Sequence, residues 1–186
     1  MILDFDEFQK ANQSRSELND IRIKNLNIFK KKGFPSKREE NWKYTDLKTI
    51  LYNNLNKLEL PNHEKTSQYN SEWLLKNFEH NQIILVNGDF VSSTFSFEAK
   101  EKIKIKPLKM VLNNEKDFEK IRNYFTDQQN SLTSLNHALV NDGIFLEIED
   151  NYSCNKPLII YNLFNKSSEN KIIKHKSFIS LGKNSK

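Results

Sequence analysis

Few residues in this 186-residue chain have the types and spacing that chemistry requires. Its one cysteine, Cys154, sits in the polar run Asn151-Tyr152-Ser153-Cys154-Asn155. A lone thiol could accept sulfur or ligate a cluster if its pKa were lowered, but no basic or histidine neighbour in sequence would lower it. A small residue in a turn between strands is the simpler reading. His63, His80, His137 and His175 lie far apart and read as surface or packing histidines rather than as a ligand set. Four glycines in total cannot build a glycine-rich phosphate cradle of the usual form. No H-E-x-x-H, G-x-S-x-G or Cys/His metal cluster is present. The residues therefore assign no catalytic and no metal-ligating position, and cofactor-binding residues stay unknown.

Two features combine basic residues with apolar or aromatic ones. Lys30-Lys31-Lys32 and Lys37-Arg38 flank Gly33, shortly before Trp42, Lys43 and Tyr44; such residues can track phosphates and stack bases. Lys102-Ile103-Lys104-Ile105-Lys106 alternates strictly, which gives a strand one lysine face and one apolar face. Together they suggest one function, a small basic protein that binds single-stranded nucleic acid. Each also has a plainer reading. Lysines at a helix C-terminus complement its dipole. Trp42 and Tyr44 can anchor the short helices onto the domain, with Arg38 paired to a nearby carboxylate, because large aromatics mostly serve burial. Lysines on an edge strand guard it against edge-to-edge pairing. The net charge of +5 comes with a Lys-, Asn- and Ile-rich composition that resembles coding bias, so it argues little for a nucleic-acid partner.

The elements that would hold these residues follow from the apolar pattern. The chain is 37% hydrophobic and 28% charged, yet its 13 Phe, 6 Tyr and 2 Trp argue against disorder. The lone cysteine rules out an internal disulfide and suits a reducing compartment. The acidic start Met1 to Glu7 has no secretory pattern, and no apolar run approaches a membrane span. A cytoplasmic protein is expected.

Residues 14–32 predict a helix, opened by Ser14 and Glu17 at capping-box spacing and closed by Gly33 in a Schellman stop, with Phe29 touching Phe34. Pro35 prevents resumption. Ser36 and Glu39 predict a second helix start, and Thr45-Asp46 a third, running into Leu47, Ile50, Leu51 and Leu55. Ser71 opens another short helix through Trp73 to Phe78. At Gln82 the pattern changes. Ile83–Val86 and Asp89–Val91 flank Asn87-Gly88, a type I′ hairpin signal. Two helices follow, one with Phe118, Ile121 and Phe125, the next with Leu132, Leu135 and Leu139, and Asn141-Asp142-Gly143 turns the chain. From there to the end the runs are β.

The expected class is α+β, in three parts: a helical N-terminal domain over 1–80, a β-hairpin, strand and helix connector over 81–130, and a β region over 131–186. Strand–turn–strand with short corners can begin a solenoid, and such a stack needs about three or more repeats, so the chain reads as cut off. A stand-alone adaptor built on residues 1–80 is a third functional class.

Gly33-Phe34-Pro35, Arg38, Glu40, Trp42-Lys43-Tyr44-Thr45 and Leu47 resemble the N-terminal signature of SufD-type members of the SufB/SufD family, scaffold components of bacterial iron–sulfur cluster assembly. Three further stretches resemble the start of that family's right-handed parallel β-helix: Leu135-Asn136 with Ala138-Leu139, Asp142-Gly143-Ile144-Phe145-Leu146, and Lys156-Pro157-Leu158. The hairpin Leu85 to Val91 is also similar to the family pattern. The resemblance implies a SufD-like scaffold that is not itself an enzyme and pairs with SufB. Its complex uses ATP through SufC and handles an iron–sulfur cluster, and neither a membrane nor a nucleic acid is an expected partner. The family's cluster chemistry and SufC docking belong to later parts of longer chains. The resemblance therefore implies no cofactor bound by this segment and no catalytic or metal residue. Gly33, Phe34, Pro35, Arg38, Glu40, Trp42, Lys43, Tyr44, Thr45, Asn136, Asp142, Gly143 and Pro157 stand as structural signature residues.

Overall fold

The computed structural model describes residues 16–55, 59, 68–125 and 130–186. In chain order the elements are α1 (Ser16–Lys32), α2 (Leu47–Asn54), β1 (Asn81–Val86), β2 (Asp89–Thr94), β3 (Ile103–Pro107), α3 (Leu108–Leu112), α4 (Glu115–Glu119), α5 (Ser131–Leu139), β4 (Asp142–Ile148), β5 (Leu158–Leu163) and β6 (His175–Leu181). They fall into two compact units, each built from separate stretches of chain. One comprises Met1–Pro61, Glu115–Val140 and Asn170–Ile172; the other comprises Asn62–Asn114, Asn141–Glu169 and Ile173–Lys186. The first is helical and the second holds two small mixed sheets, so the class is α+β; the described residues form no closed barrel.

In the helical unit α1 buries Leu18, Arg22, Asn25, Leu26 and Phe29, spacings that fall on one helical face. Apolar periodicity finds three of the five. The other two are polar and hold the face by hydrogen bonds. The Arg22 guanidinium donates to the Val140 carbonyl at 2.7 Å, and the Asn25 amide donates to the Phe125 carbonyl at 3.1 Å. Burial lowers the Arg22 pKa to about 10, which still leaves it charged at neutral pH. Leu26 and Phe29 pack against Leu135, Ala138 and Leu139 of α5. The helix ends as predicted at Gly33, whose φ of 73° suits a residue without Cβ. Its N–H bonds the Phe29 carbonyl at 2.7 Å, and the Phe29 and Phe34 rings meet edge to face at 5.1 Å. A bond from the residue after the helix back to that carbonyl is the αL form of the stop. Ser14, the other half of the expected capping box, lies outside the described residues. The Phe118, Ile121 and Phe125 face is buried as predicted, although it is shared between α4 and a 3-10 turn at Arg122–Phe125.

In the β unit, β1 and β2 pair antiparallel around Asn87 and Gly88. Both turn residues have positive φ, 51° and 87°, the requirement of the predicted type I′ hairpin. The sheet orders are β2-β1-β5 and β3-β4-β6. Strand β1 runs parallel to β5, from Asn81 opposite Leu158 to Val86 opposite Leu163. Strand β4 runs parallel to β6, from Asp142 opposite His175 to Ile148 opposite Leu181. Ile83 and Leu85 of β1 share a core with Ile103, Ile144, Leu146 and Ile148. The alternate residues Ile84 and Val86 pack with Tyr161, Tyr69 and Leu74. Both faces of β1 are therefore covered, which accounts for an uninterrupted apolar run where a half-buried strand would alternate.

Some predicted elements differ. The helix expected over Ser71–Phe78 is a single 3-10 turn, Ser71–Trp73, capped by the Asn70 side chain. Leu74 gives its N–H to Ser71, but Leu75 gives its N–H to the Tyr161 hydroxyl at 3.1 Å, so the helical ladder is cut after one turn. Asp142-Gly143, expected to turn the chain, instead open β4. No helix among the described residues is long and apolar enough to cross a membrane.

Candidate functional site

The densest polar constellation of the β unit centres on Glu98, which sequence reading did not single out. Its side chain is buried and accepts from the Asn81 amide at 2.7 Å, the Tyr152 hydroxyl at 2.7 Å, the Asn155 N–H at 3.0 Å and the Lys156 N–H at 3.1 Å. Burial works to raise the Glu98 pKa, but these donors outweigh it and hold the carboxyl below its ordinary range. Tyr152 in turn accepts the Ala99 N–H at 2.9 Å, and Asn81 donates its backbone N–H to the Pro157 carbonyl at 2.8 Å. The lone pairs a general base would need are thus committed to internal donors. The constellation staples the corner before β5 to the start of β1. Cys154 lies in the same corner. Burial, and then the Glu98 carboxylate, push its thiol pKa up, so it is a protonated thiol at neutral pH and a poor nucleophile. The described residues bring no three of His, Cys, Asp and Glu into a metal-binding group.

Asp142 is a second node. It is buried, and its two oxygens accept the N–H of Phe90 and the N–H of Lys109, each at 3.0 Å. One carboxylate so fixes β2 and the start of α3 to β4. Beside it, Gly143 has φ 140°, and a Cβ there would stand 2.0 Å from the Lys176 carbonyl oxygen. Glycine is required because β6 approaches β4 through its backbone. Asn136 sits on α5, where its carbonyl accepts the Val140 N–H at 2.8 Å.

The signature segment after Gly33 behaves differently. Pro35 is buried, but Ser36–Leu47 includes no buried residue. The predicted start at Ser36 forms in part: the Glu39 carboxylate accepts the Ser36 N–H at 3.3 Å. It leads into a turn and a 3-10 helix at Glu40–Trp42, not an α-helix. The Thr45-Asp46 start holds, with the Asp46 carboxylate accepting the Thr49 N–H at 3.0 Å. Trp42 is half-buried, whereas Tyr44 is 88% exposed. Tyr44 is therefore not the anchor expected from its size. It carries the Lys43 ammonium 5.2 Å from its ring centroid. Lys43 Nζ lies 2.9 Å from Glu40 Oε1; Arg38 and Thr45 are exposed.

The described histidines sit in separate surroundings. His137 is buried with its ring 5.0 Å from Phe125. His80 meets the Tyr161 hydroxyl at 2.9 Å, burial lowers the His175 pKa, and His63 lies outside the described residues. Strand β3 is an edge strand, as the guard reading of its lysines requires.

A family model described as the SufBD protein N-terminal region matches residues 5–160. No curated protein matches the chain.

Proposed function

Because the chain belongs to the SufB/SufD family, we propose that it works as a SufD-like scaffold subunit of iron–sulfur cluster assembly, pairing with SufB and acting with the ATPase SufC in the cytoplasm. In this reading the chain performs no catalysis of its own. The cluster is cargo of the assembled complex, and ATP is consumed by SufC. The supporting observation is the winding of the last strands. The path from β4 through β5 to β6 moves from one sheet to the other and back, and β6 lies parallel to β4 in unbroken register, Asp142 to Ile148 against His175 to Leu181. Parallel pairing across alternating sheets supports this reading, because a parallel β-helix needs each strand to provide a template for the next. Strand β5 against β1 offers the same parallel template in the other sheet. A core of this kind serves assembly by presenting long edges and faces, and the internally committed carboxylates Glu98 and Asp142 suit a rigid frame.

The test is co-expression of the chain with SufB and SufC followed by size-exclusion chromatography. A scaffold subunit co-elutes with both. Failure to co-elute with either removes the partner assignment. If the chain displaces SufB from a complex instead of joining it, the SufD-like assignment is wrong and the SufB-like one takes its place.

A further inference from the structure

The β unit also carries a groove of about 580 Å³ whose lining includes Phe95, Ile103 and Ile105 together with Lys100, Lys104 and Lys106. It is bounded by β3 and by the end of β2, and among the described residues each of these strands is the last in its sheet. Three properties of the groove point the same way.

The first is unused backbone. Lys102 gives its carbonyl to the Glu149 N–H, so in the antiparallel ladder with β4 the alternating residues Ile103 and Ile105 turn their N–H and C=O groups away from β4. An edge of this kind is a template for an added strand. Pro107, which has no N–H, ends it. The second is apolar lining at the same place. Ile103 is buried and Ile105 and Phe95 are half-buried, so every second side chain of an added strand would find an apolar partner. The third is charge. Lys100 and Lys104 are exposed, whereas the carboxylate in the lining, Glu98, is already committed to Asn81, Tyr152, Asn155 and Lys156. The lining carries three lysines, Lys100, Lys104 and Lys106, against that one carboxylate, so its net charge is positive.

We infer that this groove receives an extended segment of a partner protein in which acidic and apolar residues alternate, added as a strand to the open edge of β3. The lysines that guard the edge then have a second consequence. A second copy of β3 would set lysine against lysine, and like charges across a strand pair are destabilising, so self-pairing is suppressed. An acidic strand meets the opposite sign, and one device both rejects and selects. A nucleic acid would engage the lysines but leave the Ile103 and Ile105 peptide groups and the apolar lining unused. The inference does not depend on the scaffold reading.

The experiment uses the full chain and a fluorescent, end-blocked peptide of three Glu-Val repeats, titrated by anisotropy. Three comparisons accompany it: a peptide of three Lys-Val repeats, the Glu-Val peptide N-methylated at alternate amides, and a single-stranded oligonucleotide. Saturable binding of the Glu-Val peptide is expected, weakened at least about tenfold by Lys104→Glu with Lys106→Glu and by N-methylation, with no binding of the Lys-Val peptide. Slowed hydrogen exchange of the Ile103 and Ile105 amides on binding is the matching structural readout. Lys104→Gln, at an exposed position, gives an intermediate loss without risk to the fold. The inference is overturned by absence of binding up to about 1 mM, by equal binding of the N-methylated or Lys-Val peptide, by indifference to the Lys104 variants, or by an oligonucleotide that binds more tightly than the Glu-Val peptide.

Discussion

Two of the stretches that resemble the SufB/SufD family are used by the structure in opposite ways. Asp142-Gly143 is buried, and its atoms are committed: both carboxylate oxygens hold backbone N–H groups, and the glycine leaves room for the Lys176 backbone. Ser36–Leu47 buries nothing, and its largest exposed ring, Tyr44, faces solvent with a lysine beside it. A motif can thus identify a chain for two physical reasons. One is a constraint from inside, where a changed side chain meets atoms that cannot move. The other lies outside the fold, because an exposed residue gains little stability from its identity.

The comparison is sharpest at Gly143. Gly143→Ala puts a Cβ against the Lys176 carbonyl at a backbone angle that side chains rarely adopt, and we expect a loss of about 3 kcal/mol or more in urea unfolding, or no folded protein. Asp142→Ala strands two N–H groups and is expected to cost about 2–3 kcal/mol by the same measurement. Glu98 lies in neither stretch and tests whether commitment alone predicts cost. Glu98→Gln keeps the shape but turns one acceptor into a donor, and about 2 kcal/mol is expected. Its pH dependence has a definite sign. A carboxyl held below its ordinary value contributes stability that is complete above its unfolded pKa of about 4.3 and is lost as pH falls through the folded value. The acid limb of the melting curve should therefore flatten in the variant; an unchanged limb would show that Glu98 is not the group being titrated. The smallest effect belongs to Tyr44→Ala, which should leave the thermal midpoint where it was. If that variant melted as early as Asp142→Ala, the contrast between the two stretches would collapse.

What the sequence discloses depends on how far apart the interacting residues lie. The Gly33 stop, the Asn87-Gly88 hairpin, the lysine-guarded edge and the Asp46 cap are all written within a few adjacent positions, where backbone sterics and local hydrogen bonds decide. Glu98 could not be found that way, because its donors come from Asn81, Tyr152, Asn155 and Lys156. Arg22 and Asn25 escaped for a different reason: periodicity counts apolar residues, and these two reach buried carbonyls through hydrogen bonds. The stretch after Ser71 carried a real helix start, which a hydroxyl from Tyr161 then cut short. The fold class was legible in outline. The polar nodes that hold the β unit together were not.

The parallel register of β1 with β5 also sets a schedule. Asn81 pairs with Leu158, 77 residues later, while the β1–β2 hairpin can close in roughly 1–10 μs. At a synthesis rate of roughly 5–20 residues per second, the second edge of β1 waits about 4–15 s on the ribosome for its partner. During that interval Ile83 to Val86, the most apolar run of the hairpin, has one edge unpaired. The nascent chain is most exposed to mispairing between the emergence of Val86 and that of Leu163, and a chaperone acting on it would have its greatest effect in that window.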